Sequence, residues 1–207
     1  MKSNTISILI HSLWFYSFFF RIGAGKFGVE DVNASICTHY IYAFAILDPK
    51  LYTIIPSDEP NDVINGAYLK FTNLKIKYPK LKTLIAIGGA LDSKSDKYSQ
   101  LVSDDRKVKI FTESVLAFLE KYKFDGIDFD WEFPRTPADK IGFKNLMNTL
   151  KQQLREKGYL LTTAVSAYRP TIDQGKNIFR SIEDSLWDEE IQYYDIVVCL
   201  NQTITCL

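Results

Sequence analysis

The sequence has no excess of charge of either sign: 25 lysine and arginine residues balance 25 aspartate and glutamate residues over 207 positions. A nucleic-acid-binding chain normally shows a basic excess or a basic stripe. Neither is present, and the lysines alternate with apolar residues at helical spacing, as on a solvated face. Cysteine is scarce. Cys37, Cys199 and Cys206 make an odd number, so at least one thiol lacks a partner within the chain, and their spacing fits no zinc pattern. A long apolar run is missing too. The stretch containing Ile6–Ile10, Leu13–Tyr16 and Phe18–Phe20 is interrupted by His11 and Ser12. It falls short of the ~20 apolar residues that a membrane span needs. No low-complexity tract and no short internal repeat divides the chain.

What stands at the N-terminus is a positive start, Met1-Lys2, ahead of that short apolar run, an arrangement similar to a signal peptide although no small-x-small cleavage site follows it. The same run also reads as a buried strand. The expectation is an extracellular protein with no stable membrane association. Residues 1–20 then form a signal-like segment or a replaced first strand, and residues 21–207 form one folded domain. The glycosylation triplets Asn33-Ala34-Ser35 and Asn201-Gln202-Thr203 fit that location but are frequent by chance.

From Cys37 onward, strand-like and helix-like runs alternate. Cys37–Leu47 is apolar and rich in aromatic and branched residues, as a buried strand should be. Ile64, Tyr68, Phe71 and Leu74 recur at helical spacing over 62–78, and Pro79 ends that helix. Leu81–Ile87 predicts a second strand, closed by Gly88-Gly89, and 92–105 predicts a polar loop. Val108, Phe111, Val115, Phe118 and Leu119 give the next helix its inner face. Phe124–Trp131 predicts a third strand. The helix predicted over 137–157 has Ile141, Phe143, Leu146, Met147, Leu150 and Leu154 as its apolar positions. Tyr159–Ala167 and Tyr193–Leu200 predict two more strands. Repeated strand–helix units imply parallel strands covered by helices, an α/β fold.

The chemistry concentrates in Phe124-Asp125-Gly126-Ile127-Asp128-Phe129-Asp130-Trp131-Glu132-Phe133-Pro134. Side chains alternate faces along a strand, so Asp128, Asp130 and Glu132 share one face while Ile127, Phe129 and Trp131 share the other. The apolar face can pack on helices. Three neighbouring carboxyls on the opposite face are costly to bury, and a purely structural strand has no reason to collect them. Their crowding has a use: neighbouring carboxylates cannot all ionise easily, so one keeps its proton to higher pH, as a general acid requires. Glu132 has the longest reach and lies at the C-terminal end of the strand, where barrels of alternating strands and helices carry their active sites. A calcium or magnesium site and a paired structural cluster are the competing readings. The nearest cations in the sequence, Lys121 and Lys123, precede the motif and should face solvent.

This segment resembles the DxxDxDxE signature of the family 18 glycoside hydrolases, which comprise chitinases and chitinase-like proteins, through Asp125, Asp128, Asp130 and Glu132. Cys37–Ala45 and Leu81–Gly89 are similar to that family's second and third strands. Ala164–Ala167 with Pro170–Asp173 is similar to the fifth strand and its following loop. The resemblance covers about 23–175, and the animal branch fits best. It implies an incomplete TIM (β/α)8 barrel in which roughly strands 2–6 are recognisable. The implied substrate is chitin or chito-oligosaccharides, with no cofactor and no metal. Glu132 would protonate the glycosidic oxygen, and the sugar's own acetamido group would serve as nucleophile, the exception to the usual two-carboxylate scheme. Asp130 would orient the acetamido group, Asp128 would share a proton with Asp130, and Asp125 would hold the start of the strand. Phe44, Gly89 and Ala164 would line the subsite of the reacting sugar; core packing explains Phe44 and Ala164 nearly as well.

The sequence departs from the family pattern at several points. No cysteine precedes Gly25 to pair with Cys37. Ala90 stands where many active members have a tryptophan that stacks on sugar, which should weaken binding of long substrates. Leu200, Gln202 and Thr203 stand where a methionine-x-tyrosine-aspartate motif is expected, and the last strands of the barrel have no counterpart. Three outcomes are therefore open: a chitinase-type hydrolase, a chitin- or oligosaccharide-binding chitinase-like protein, and a truncated, inactive gene product.

Overall fold

The computed structural model describes residues 38–166 with Val29 and Ala34, and the main chain of a further strand at Val197–Leu200; for 164–166, too, it describes the main chain alone. The N-terminal run over 1–20, Cys37, Cys206, both glycosylation triplets as units, the loop that begins at Tyr168, and Gln202 and Thr203 lie outside the described residues.

A parallel sheet forms the frame. Its strands are β1 (His39–Leu47), β3 (Lys82–Gly88), β4 (Gly126–Asp130), β5 (Leu160–Ser166) and β6 (Val197–Leu200), with a short β2 (Ile54–Pro56) added antiparallel to β1. The spatial order is β2-β1-β3-β4-β5-β6. The parallel ladder pairs Ile41 with Leu84, Ile85 with Ile127, Gly126 with Leu160 and Val165 with Cys199. Consecutive parallel strands with helical crossovers are the repeating unit of a TIM barrel, and the described sheet is part of one.

Two long helices cover the strands. The first, α5 (Asp105–Tyr122), starts at Asp104, whose side chain accepts the Arg106 N–H, and stops at Lys123 in the left-handed conformation. Its inner positions Val108, Phe111, Val115, Phe118 and Leu119 are all buried, as their spacing predicts. The second, α6 (Pro137–Glu156), opens on a capping box in which Thr136 and Asp139 exchange hydrogen bonds, with Pro137 in the first turn. Ile141, one of the apolar positions of this helix, is 65% exposed. It follows Lys140 on a face that Phe143, Leu146, Met147 and Leu150 do not need in order to reach the sheet.

The helix expected over 62–78 is three short pieces: a π-helical turn at Pro60–Ile64, α1 (Ala67–Thr72) and α2 (Leu74–Lys77). Gly66 between the first two has φ 73°, which breaks the periodic pattern, and it turns Ile64 out to solvent. Tyr68 and Phe71 keep their expected inward positions, where they meet Tyr42, Phe118, Tyr122 and Phe124 in a cluster of mostly edge-to-face ring contacts.

The stretch 92–105, read as a polar loop, holds helical turns. Directly after β3 come α3 (Gly89–Asp92) and then α4 (Lys97–Val102). Tyr98 and Leu101 of α4 are fully buried. Two apolar residues in a polar stretch are too few to show a helical period, and tertiary packing decides the conformation.

Candidate active site

The acidic strand is placed by its apolar face. Phe129 contacts Tyr98, Phe111 and Phe143, and Trp131 stacks on Tyr98 with ring centroids 5.7 Å apart and meets Phe143 edge-on. Strand alternation then commits Asp128 and Asp130 to the opposite side. On neighbouring β3 the residues in register with them are Ala86 and Gly88, the smallest available, which leaves volume for the carboxyls. Gly88 is required for a second reason. A Cβ at this position would lie 2.2 Å from the Asp130 carbonyl oxygen, and its φ is 115°, where other L-residues are strained.

Asp128 is 4% exposed and its Oδ1 accepts a 2.6 Å hydrogen bond from the Thr162 hydroxyl of β5. Burial pushes its carboxyl up to about 6, against the Thr162 bond, which favours the charged form. Asp130 is 1% exposed, and its Oδ1 meets no hydrogen-bond partner among the described residues. Burial, followed by the charges of Asp128 and Glu132, pushes it up to about 8, so Asp130 carries a proton at neutral pH. Glu132 is half-buried at the mouth of the site, and burial raises its carboxyl above the ordinary value. Of the three carboxyls, Asp130 is held highest, by burial and then by its neighbours' charges, whereas burial alone raises Asp128 and Glu132.

Asp125 takes a different position. It precedes the ladder at the opposite end of β4, where its Oδ2 accepts from the Thr83 N–H and hydroxyl and from Lys75 Nζ at 2.8 Å. It ties the start of β4 to β3 and does not join the other three carboxyls. The cations beside the motif are therefore Lys75, fifty residues away, and Lys82 at 3.9 Å, and not Lys121 or Lys123, which are exposed as expected.

Phe44 is buried within β1, Gly89 is buried with φ 77°, and Ala90 is exposed directly beyond it. Gly89 and Ala90 thus follow the C-terminal end of β3, the edge of the sheet that carries Asp130 and Glu132. Ala164 lies in β5, paired through its main chain with Val198. Among the described residues, no group of three or more His, Cys, Asp or Glu side chains is arranged to hold a metal ion.

The model of "Glycosyl hydrolases family 18" matches residues 14–197, so it takes in strands on both sides of the acidic one. The chain belongs to glycosyl hydrolase family 18. A protein described as probable chitinase 10 of Drosophila melanogaster is 38% identical over 169 residues, which are 77% of this chain and 7% of that protein. Catalytic domain 2 of the group II chitinase of Ostrinia furnacalis superposes with a TM-score of 0.71 at 40% identity, over 75% of this chain and 42% of that one. A variant of the same domain has been crystallised in complex with penta-N-acetylchitooctaose, with the same score and coverage. This family 18 chain spans less than half the length of these relatives.

Sequence reasoning missed one group beside the site. Ser93 accepts the main-chain N–H of Glu132 through its hydroxyl at 3.0 Å. Asp92, Lys97 and Tyr98 surround it. Their signal in the sequence was weak: a polar stretch directly after Gly88-Gly89, with one aromatic residue.

Proposed function

We propose that this chain is a chitinase-type glycoside hydrolase that cleaves β-1,4-linked N-acetylglucosamine with retention of configuration, using Glu132 as acid. The observation that carries the reading is the acidic face of β4: two buried carboxyls held up to about 6 and about 8 behind a half-buried glutamic acid at the strand's C-terminal end. The relatives' names and the chito-oligosaccharide complex supply the substrate class.

Glu132 donates its proton to the glycosidic oxygen as the bond to the anomeric carbon breaks. The acetamido carbonyl oxygen of the same sugar bonds to that carbon from the other side. Asp130, protonated and with Oδ1 unengaged, contacts the acetamido group and fixes its direction of attack. Asp128, tied to Thr162, keeps Asp130 in its protonated state. The Glu132 carboxylate then takes a proton from the water that opens the intermediate, and two inversions give net retention. Phe44, Gly89 and Ala164 are the residues we assign to the reacting sugar's subsite, and Ala90 to its outer edge, where the absence of an aromatic ring favours short oligosaccharides. The extracellular location expected from the N-terminal run suits a polymeric substrate.

Incubating the 207-residue chain with chitotrioside and following the fresh product by NMR tests this reading. The β-anomer should appear first and mutarotate later. Initial release of the α-anomer would contradict the substrate-assisted route, and absence of cleavage at millimolar substrate would overturn hydrolysis altogether.

A further inference from the structure

The last ladder pair of β4 is Asp130 with Gly88, so Trp131 and Glu132 lie beyond the sheet's hydrogen bonding. The acid's own main chain therefore needs another anchor, and Ser93 provides it. We propose that the segment from Asp92 to Tyr98 is a positioning unit for Glu132, in which the Ser93 hydroxyl fixes the acid's main chain and the buried Asp92–Lys97 pair fixes Ser93. The inference rests on the reading of Glu132 as the acid.

Each part of the unit has a defined hold. Ser93 is buried, and its own N–H closes α3 on the Gly89 carbonyl at 3.0 Å. Next to it, Asp92 Oδ2 accepts the Leu47 N–H at 3.2 Å and the Tyr98 hydroxyl at 2.7 Å, while Oδ1 pairs with Lys97 Nζ. Lys97 Nζ also donates to the Leu47 carbonyl at 2.8 Å. The pair thus grips both main-chain groups of the last residue of β1 and fixes the turn after β3 relative to it. Tyr98 extends the grip, because its ring stacks on Trp131, the residue before Glu132. The acid is held at its N–H by Ser93 and through its neighbour's indole by Tyr98. A buried ion pair is weak evidence for stability; here it fixes a geometry, and a general acid loses rate steeply when displaced by even an ångström.

The test compares the full chain with its Ser93→Ala, Ser93→Thr and Asp92→Asn variants, reading chitotrioside kinetics and amide hydrogen exchange side by side. Ser93→Ala should lower kcat by about 10- to 100-fold with KM changed by less than about twofold. The Glu132 amide should exchange faster while Ile127 and Phe129 in the ladder stay protected, which also shows that the variant is folded. Ser93→Thr, which restores a hydroxyl, should recover both readouts, and Asp92→Asn should shift both in the Ser93→Ala direction by less. Unchanged exchange at Glu132 in Ser93→Ala overturns the proposal, as does faster exchange with unchanged kcat. If the parent chain shows no turnover, the hydrolase reading fails, and the exchange data alone decide whether Ser93 anchors Glu132.

Discussion

Replacing Glu132 by glutamine should lower kcat on a fluorogenic chitotrioside by about 10²- to 10⁴-fold, the usual contribution of a general acid, with KM nearly unchanged. On the proposed mechanism, the substitution removes the proton that the leaving oxygen needs and the carboxylate that later takes the water's proton. The anchor to Ser93 is made by the main-chain N–H at 3.0 Å and survives, as do the Trp131 contacts that position the strand's end. In the parent chain, on the proposed function, turnover should fall as pH rises through the Glu132 ionisation, which burial places above the ordinary glutamate value. The glutamine variant should lose that limb of the profile. A glutamine variant within threefold of the parent rate would remove Glu132 from the mechanism.

Gly88→Ala should be the most damaging single methyl in the site. The added carbon would sit 2.2 Å from the Asp130 carbonyl oxygen and 2.8 Å from its carbonyl carbon. Both are main chain of the neighbouring strand, so no side chain can rotate away. Relief requires β3 and β4 to separate at the point where Gly88 and Asp130 pair. The left-handed conformation at φ 115° adds about 1–3 kcal/mol for a non-glycine residue, and the overpacking adds about 1–3 kcal/mol more. Urea unfolding should show a loss of that combined size, and turnover should fall even where the variant is fully folded, because Asp130 moves with its carbonyl. Gly158→Ala is the control: it too has a positive φ, 75°, but nothing lies within 4 Å of its added carbon, so only the conformational part should appear. Equal losses at the two positions would refute the close-approach argument.

The acidic strand was legible because its information is local. Alternation alone sorts Asp128 and Asp130 from Phe129 and Trp131, and the period of α5 alone selects Phe111 and Val115. The strands paired as the alternating pattern requires, and of the four signature carboxyls Asp128, Asp130 and Glu132 lie together while Asp125 stays at the opposite end of β4. What stayed hidden depends on partners distant in sequence. Lys75 reaches Asp125 across fifty positions. Asp92 and Lys97 become a clamp only when β1 brings Leu47 between them. Ile64 and Ile141 show that an apolar residue at helical spacing need not face inward: 77% of Ile64, just before the turn at Gly66, is exposed, as is 65% of Ile141. The three residues of β2 are too few for any period to show. Ile54 also uses its main chain, donating to the Ser114 hydroxyl on α5 at 3.1 Å.

The central claim is that the buried face of β4 retains protons near neutrality. Its thermodynamic consequence has a definite sign. The folded-state carboxyls of Asp128 and Asp130 lie above the ordinary value of 3.8, so the native state binds more protons than the unfolded chain between those limits. Their contribution to stability is fully present below pH 3.8 and is lost as pH rises through about 6 and then about 8. The most direct measurement is a carbon-13 NMR titration of the aspartate carboxyls in the folded chain, assigned with Asp128→Asn and Asp130→Asn variants. The account predicts that Asp130 titrates near 8 and Asp128 near 6, with the Asp130 value falling when Asp128 is neutralised. Two carboxyls that titrate independently near 3.8 would contradict it.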